Sequence, residues 1–455
     1  MNVFKSAFRL SALPLLLLTG CEGPLGADIP DDLGVAAEQG AAKTSGLLAV
    51  IDITLSNPIG DVDNFDAEIA GNMQIYEQHG APQLPDATLD IARIRTTPQS
   101  VNVAIDLKRR GSSSLAHPKK NYSLDLKASV PVLGMPAEKE WVMHSCYADK
   151  TCLRNLVTYW QAAKLFPWAP RTEFAEVYIN NDYRGLYLII EKVKLGPNRV
   201  NLPPPDANNP GGTFIFKRDG NDSNPDWMSA VGDNVRYFMA SPKLKDLTLD
   251  WFNGLKNKMN TVEATFKPGS PTYNPAAYRD RYGQTAAIDF IISQEIGNNP
   301  DAYWKSMYQT LNRDGRVYMG PIWDLDLAYA NYNPQPQFCG TNTWRLDAGG
   351  FQPISEMWHQ PVFRQAFRDR YRDLRGRGVI SRGAFDTLID SMASRLALPR
   401  ARDNKKWKTI GVNIPILDEC YVKPTYAEEV AELKRFIRTR IEWMDAKVVE
   451  PNFVQ

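Results

Sequence analysis

The chain has 455 residues, 43% hydrophobic and 23% charged, with 53 Lys and Arg against 52 Asp and Glu. That length accommodates two or three ordinary domains or one large catalytic one, and the apolar share excludes wholesale disorder. A formal net charge of +1 gives no global field, which argues against a DNA-coating or polybasic membrane-binding protein, so no nucleic-acid partner is expected.

The N-terminus carries Lys5 and Arg9, a mostly apolar run over 10–18, and then Leu18-Thr19-Gly20-Cys21. A basic start, a short apolar core and small residues before a cut are the pattern of a secretion signal, too short to span a bilayer. The last four residues look like a bacterial lipobox. Residues 1–21 are therefore predicted to be a lipoprotein signal peptide, with Cys21 acylated as the new N-terminus. Residues 22–46, rich in Gly, Ala and acidic residues, read as a flexible tether, and 47–455 as one folded domain. The expected product is an exported bacterial lipoprotein that meets the membrane through its lipid. Glu22 after the cysteine, rather than Asp, favours the outer membrane or cell surface over the inner membrane.

From residue 47 the texture changes. Strands are predicted over 47–53, 88–95 and 101–107, then a helix over 149–166 stopped by Pro167. Residues 173–190 read as a hairpin turning on Asn180-Asn181-Asp182, whose residue types tolerate positive φ. A Pro/Asn/Gly loop over 195–212 precedes a short strand over 213–217. A long helix is predicted within 276–297, bounded by Asn298-Asn299-Pro300, and a second hairpin over 306–323. Helical texture dominates 355–398 and 427–448. Strands first and helices last predict an α+β, two-lobed body with a largely helical C-terminal part.

Beyond Cys21 four cysteines remain: Cys146, Cys152, Cys339 and Cys420. An even count in an exported chain points to two disulfides. Cys146 with Cys152 closes a small loop, and Cys339 with Cys420 pins a distant C-terminal segment; the other two connectivities stay open. The spacing is not that of a zinc site.

Three blocks can carry chemistry. The second hairpin ends in Pro321-Ile322-Trp323-Asp324-Leu325-Asp326, two carboxylates in an apolar frame that can both reach one Mg²⁺. Asp301, on the loop after the long helix, is an acid of the kind that positions an acceptor hydroxyl opposite such a metal site in phosphoryl transfer. Lys108-Arg109-Arg110-Gly111-Ser112-Ser113-Ser114, followed by Pro118-Lys119-Lys120-Asn121-Tyr122, runs a strand into a basic turn that offers N–H groups, hydroxyls and cations to a polyphosphate. Taken singly, each block also fits a turn cap or a flexible basic loop. His79, His117, His144 and His359 lie apart with no nucleophile or acid pattern around them, and read as satisfied or exposed residues.

Together these blocks resemble the CotH kinase family, named for spore coat protein H, an atypical branch of the protein-kinase-like fold. Further blocks in the same order carry the resemblance: Asp149-Lys150-Thr151 with Leu153-Arg154-Asn155; Val177-Tyr178-Ile179-Asn180 with Tyr183-Arg184-Gly185-Leu186-Tyr187 and Glu191; Gly211-Gly212-Thr213 with Lys217; and Asn298 with Asp301 and Tyr303. The resemblance implies ATP with Mg²⁺ or Mn²⁺ and transfer of phosphate to Ser or Thr of envelope or surface proteins. It implies Asp301 as the catalytic-loop acid, and Asp324 as the metal-binding acid with Asp326 and Ser306 beside it. Arg110, Gly111, Ser112, Ser113 and Lys217 would meet the phosphates. Lys119, Lys120 or Lys127 would be the nucleotide lysine, oriented by Glu191 unless that acid holds Arg154. Where many members carry Asn after the catalytic-loop acid, this chain has Lys305 and Ser306. That departure, and an ATP-poor compartment, leave open an alternative: a kinase-like envelope binding or assembly protein with weak or no turnover.

Overall fold

In the computed structural model the described residues are 48–56, 67–77, 89–208, 212–220, 224–232, 235–332, 339–414 and 419–454. The predicted signal peptide, Cys21, the tether, His79 and Gly211 lie outside them. Seven strands, β1 (Ala49–Leu55), β2 (Ile69–Tyr76), β3 (Gln99–Arg110), β4 (Asn121–Val132), β5 (Met135–His144), β6 (Thr172–Ile179) and β7 (Asp182–Glu191), close into a barrel of order β1-β2-β3-β4-β5-β7-β6. Closure rests on β1 and β6, which run parallel with Ile51 opposite Val177 and Ile53 opposite Ile179. Alternate residues fill the interior, among them Ile51, Ile53, Ile75, Ile105, Leu124, Trp141, Val177 and Ile189, as the two-residue period of a strand requires.

A short helix, α1 (Ile91–Ile94), stands where a strand is predicted over 88–95. Asp90 overrides the alternation by accepting the Arg93 N–H at 3.1 Å, an N-cap that starts a helical turn. Helix α2 (Arg154–Ala162) is shorter than 149–166, because Asp149 already caps its start, accepting the Thr151 and Arg154 N–H groups at 3.0 and 2.8 Å.

The second sheet has the order β12-β11-β8-β10-β9 and comprises β8 (Phe214–Arg218), β9 (Trp227–Met228), β10 (Arg236–Ser241), β11 (Met307–Leu311) and β12 (Val317–Met319). Helices α3 (Leu249–Phe266) and α4 (Gln284–Gly297) pack with it; the segment before α4 is a 3-10 turn over Pro275–Asp280, not the start of one long helix. The C-terminal part is helical: α5 (Gln352–Trp358), α6 (Pro361–Gly376), α7 (Arg382–Trp407) and α8 (Tyr426–Val448). The fold is therefore α+β with a closed barrel.

Both disulfides form in the sequential pairing, Cys146 with Cys152 and Cys339 with Cys420, with Cα atoms 5.0 and 5.4 Å apart. No helix among the described residues is long and apolar enough to cross a membrane, which together with the disulfides is compatible with export.

Candidate active site

Helix α4 is buried around nearly its whole circumference, so packing fixes where it ends. It stops at Asn298, whose φ is 42°. Asn299 then shapes the turn: its Nδ2 donates to Gln294 Oε1 at 2.8 Å and its Oδ1 accepts the Asp301 N–H at 3.2 Å. Loop 301–306 curls back on itself, the Lys305 N–H donating to the Asp301 carbonyl at 2.9 Å.

The end of β8 clamps this loop. Gly220 N–H donates to the Trp304 carbonyl at 3.0 Å and Ser306 N–H to Asp219 Oδ1 at 3.3 Å. The Arg218 guanidinium donates to the Tyr303 carbonyl and lies 4.8 Å from the Trp304 ring centre. Gly220 has φ 27°, and a Cβ there would stand 2.8 Å from Lys305 Cγ and 3.0 Å from Trp304 Nε1. Gly220→Ala is therefore expected to cost about 1–3 kcal/mol, the usual penalty of overpacking, read as a lower urea midpoint.

Helix α2 fixes the other acids. Asn155 Oδ1 accepts the Leu325 N–H at 2.8 Å and Tyr159 Oη the Asp324 N–H at 3.2 Å. Residues four apart share a helix face, so one face of α2 holds the backbone of the Asp-Leu-Asp turn. Asp324 and Ser306 both adopt left-handed backbone, φ 65° and 50°, which costs non-glycine residues about 1–3 kcal/mol each and concentrates at functional sites. Ser306 Oγ donates to Asp324 Oδ2 at 3.2 Å.

The acids feel one another. Burial raises the Asp301 carboxyl to about 6, with Asp324 and Asp219 adding to the rise and Lys305 opposing it. Asp326 is pushed well above the carboxylate range by burial and then by Asp324, Asp149 and Asp301. Burial drives His144 down to about 4 against the pull of Asp324 and Asp149. Cations face the same acids. The Arg110 guanidinium sits 5.6 Å from the Trp323 ring centre and has no ion-pair partner among the described residues. Lys217 pairs with Asp219, and burial of its amine is outweighed by Tyr308 and Asp219, so it lies above its usual value.

Of the residues singled out in the sequence, the fold thus gathers Asp301, Ser306, Asp324, Asp326, Arg110 and Lys217. Gly111, Ser112 and Ser113 form an exposed turn after β3; Gly111 has φ 126°, and a Cβ there would meet Ser114 Oγ at 2.0 Å. The three lysines are spent otherwise. Lys119 is buried, bonded at 2.6 Å to both Asp403 Oδ1 on α7 and the Leu186 carbonyl. Lys120 donates to the Leu115 and His117 carbonyls at 2.8 and 2.7 Å. Lys127 pairs with Asp106 on the barrel surface, five residues along β4 from Tyr122, roughly 16 Å at the strand rise.

Glu191 orients none of these lysines and does not hold Arg154. Both its oxygens are taken by Arg171, at 2.8–2.9 Å, and by Arg199 at 2.5 Å; Arg154 pairs with Asp149 instead, at 2.5 Å. Asp219, which no motif marks, joins the site; its only sequence signal is a carboxylate two residues past Lys217 at a strand end. His144 joins it as well, as a buried ring beside Asp326.

Among the described residues no three His, Cys, Asp or Glu side chains already stand in a metal-binding arrangement. The donor chemistry still suits a hard divalent cation, which takes one or two carboxylates and completes its shell with phosphate oxygens and water. Burial first, and neighbouring carboxylates after it, raise Asp301 and Asp326, as desolvated acids beside like charges do.

A family model described as CotH kinase protein matches residues 107–444, well over half of the chain. Comparison with curated proteins gives no match.

Proposed function

The chain belongs to the CotH kinase family, and from that membership we propose that it is an exported, lipid-anchored protein kinase that moves the γ-phosphate of ATP to Ser or Thr hydroxyls of envelope or surface proteins. In this reading the barrel and its 111–120 turn form the nucleotide-side lobe, and the second sheet with the helices forms the other. Asp301 accepts the proton of the acceptor hydroxyl as that oxygen attacks the γ-phosphorus and the bond to ADP breaks. Its raised carboxyl, near 6, is closer to neutral pH than a free Asp, as a general base requires. Arg110, Lys217 and Lys305 lie beside the acids as charge for the phosphates, and Lys305 takes this role instead of repelling a cation. Asp324 and Asp326, with Ser306, would hold Mg²⁺ or Mn²⁺, which when bound neutralises the phosphate oxygens. Positioning and charge neutralisation do most of the work.

The observation that carries the reading is the meeting of Asp301, Asp324 and Asp326 with the cations Arg110, Lys217 and Lys305, under the family match. Asp324→Ala is expected to weaken metal-dependent ATP binding at least roughly tenfold, since a hard cation held by one or two carboxylates loses a main ligand. Calorimetry with and without Mg²⁺ checks this. Equal, metal-dependent binding in native and variant protein would remove Asp324 from the role.

A further inference from the structure

The Asp-Leu-Asp turn is not lined by oxygen alone. His144, the last residue of β5, places its Nε2 3.8 Å from Asp326 Oδ2, with the two side chains only 10% and 15% exposed. At that distance there is no hydrogen bond, and among the described residues the ring makes none. Neither ring nitrogen is both fully enclosed and unpaired, so Nε2 can still take a ligand beside the Asp326 carboxylate. The place is otherwise built with care. The disulfide-closed loop Cys146–Cys152 starts two residues on, its Asp149 is fixed by Arg154, and Leu325 between the two acids is held by Asn155. A bond of about 2.0–2.3 Å to each atom, the usual range for divalent metals on nitrogen and oxygen, spans the gap between His144 and Asp326.

We propose that His144 Nε2 and Asp326 together ligate the divalent cation of this site, so that the site takes a transition ion such as Mn²⁺ in preference to Mg²⁺. The inference rests on the metal reading of the proposed function and deepens it. Mixed nitrogen and oxygen donors favour transition ions, whereas Mg²⁺ prefers oxygen alone.

The test uses Mn²⁺ with inorganic tripolyphosphate, a nitrogen-free stand-in for the nucleotide's phosphates, on protein with both disulfides intact. Pulsed electron paramagnetic resonance of the bound Mn²⁺ is expected to show coupling to a histidine nitrogen, converted to the ¹⁵N pattern when the protein is made with ¹⁵N-histidine, a change that alters no side chain. His144→Leu is expected to abolish the coupling and weaken Mn²⁺ binding about tenfold or more while changing Mg²⁺ binding less than about threefold. Mn²⁺ bound with no nitrogen coupling in native protein overturns the His144 assignment and leaves Asp324 and the kinase reading standing. Absence of Mn²⁺ binding by native protein overturns both.

Discussion

Asp301→Asn is expected to lower phosphate transfer by about 10²–10⁴-fold, the usual worth of a positioned general base, while leaving the protein folded. The neutral amide keeps the side chain's size and removes the proton acceptor. In native protein the reaction should fail on the acid side as pH falls through about 6, where burial places the Asp301 carboxyl. The sign of the stability effect is opposite. A carboxyl raised in the folded state binds its proton more tightly there than in the unfolded chain, so its stabilising contribution is present at low pH and is lost as pH rises from the ordinary carboxylate value through about 6. At pH 7 the ionised group works against folding, and Asp301→Asn should unfold at the same temperature or higher. Loss of activity with unchanged or raised melting temperature is what a catalytic acid gives and a structural acid does not. A variant that melts earlier and keeps its activity would assign Asp301 to structure.

Glu295→Ala should instead unfold the molecule's centre, at a cost of about 3–5 kcal/mol, the range for breaking a buried ion pair from one side. Glu295 is fully buried on α4. Its carboxylate accepts Arg440 Nη2 and Tyr303 Oη at 2.9 Å, Arg345 N–H at 2.7 Å and Leu346 N–H at 3.0 Å. Arg440, on α8, is equally buried and also reaches the Glu295 carbonyl at 2.6 Å and that of Thr341 at 2.9 Å. Removing the carboxylate strands the guanidinium and frees Tyr303, which sits in loop 301–306 with φ 63°. Urea unfolding measures the loss, and Glu295→Ala with Arg440→Met should recover part of it, because the pair's desolvation is then relieved on both sides. A loss below about 1 kcal/mol would show that Arg440 is satisfied by the backbone carbonyls alone.

Local signals in the sequence located the hairpin of β6 and β7, the end of α4, the Asp-Leu-Asp turn and the small Cys146–Cys152 loop, because each is written in neighbouring residues; the pairing of Cys339 with Cys420, 81 residues on, stayed one of three connectivities. Pairings across the chain were not legible. Lys119 looks like a phosphate lysine until Asp403, 284 residues away, takes its charge. Glu191 is likewise claimed by arginines that nothing in its own strand announces. Strands β2, β4 and β5 escape a local reading because their surfaces are half-buried, even though β4 and β5 pair across the short turn Leu133-Gly134. Asp219 and His144 carry no motif; they enter the site only because β8 and β5 end beside it. Residues 88–95 fail for a smaller reason, one capping aspartate outweighing an alternation.

The most direct measurement is incubation of residues 47–455, disulfides intact, with γ-labelled ATP and Mg²⁺ or Mn²⁺, beside Asp301→Ala and Asp324→Ala. Label on the protein that disappears in both variants is the expected result and assigns both acids. Folded protein that takes no label and binds no ATP with either metal contradicts the kinase reading, while metal-dependent ATP binding without label makes the chain a nucleotide-holding envelope protein instead.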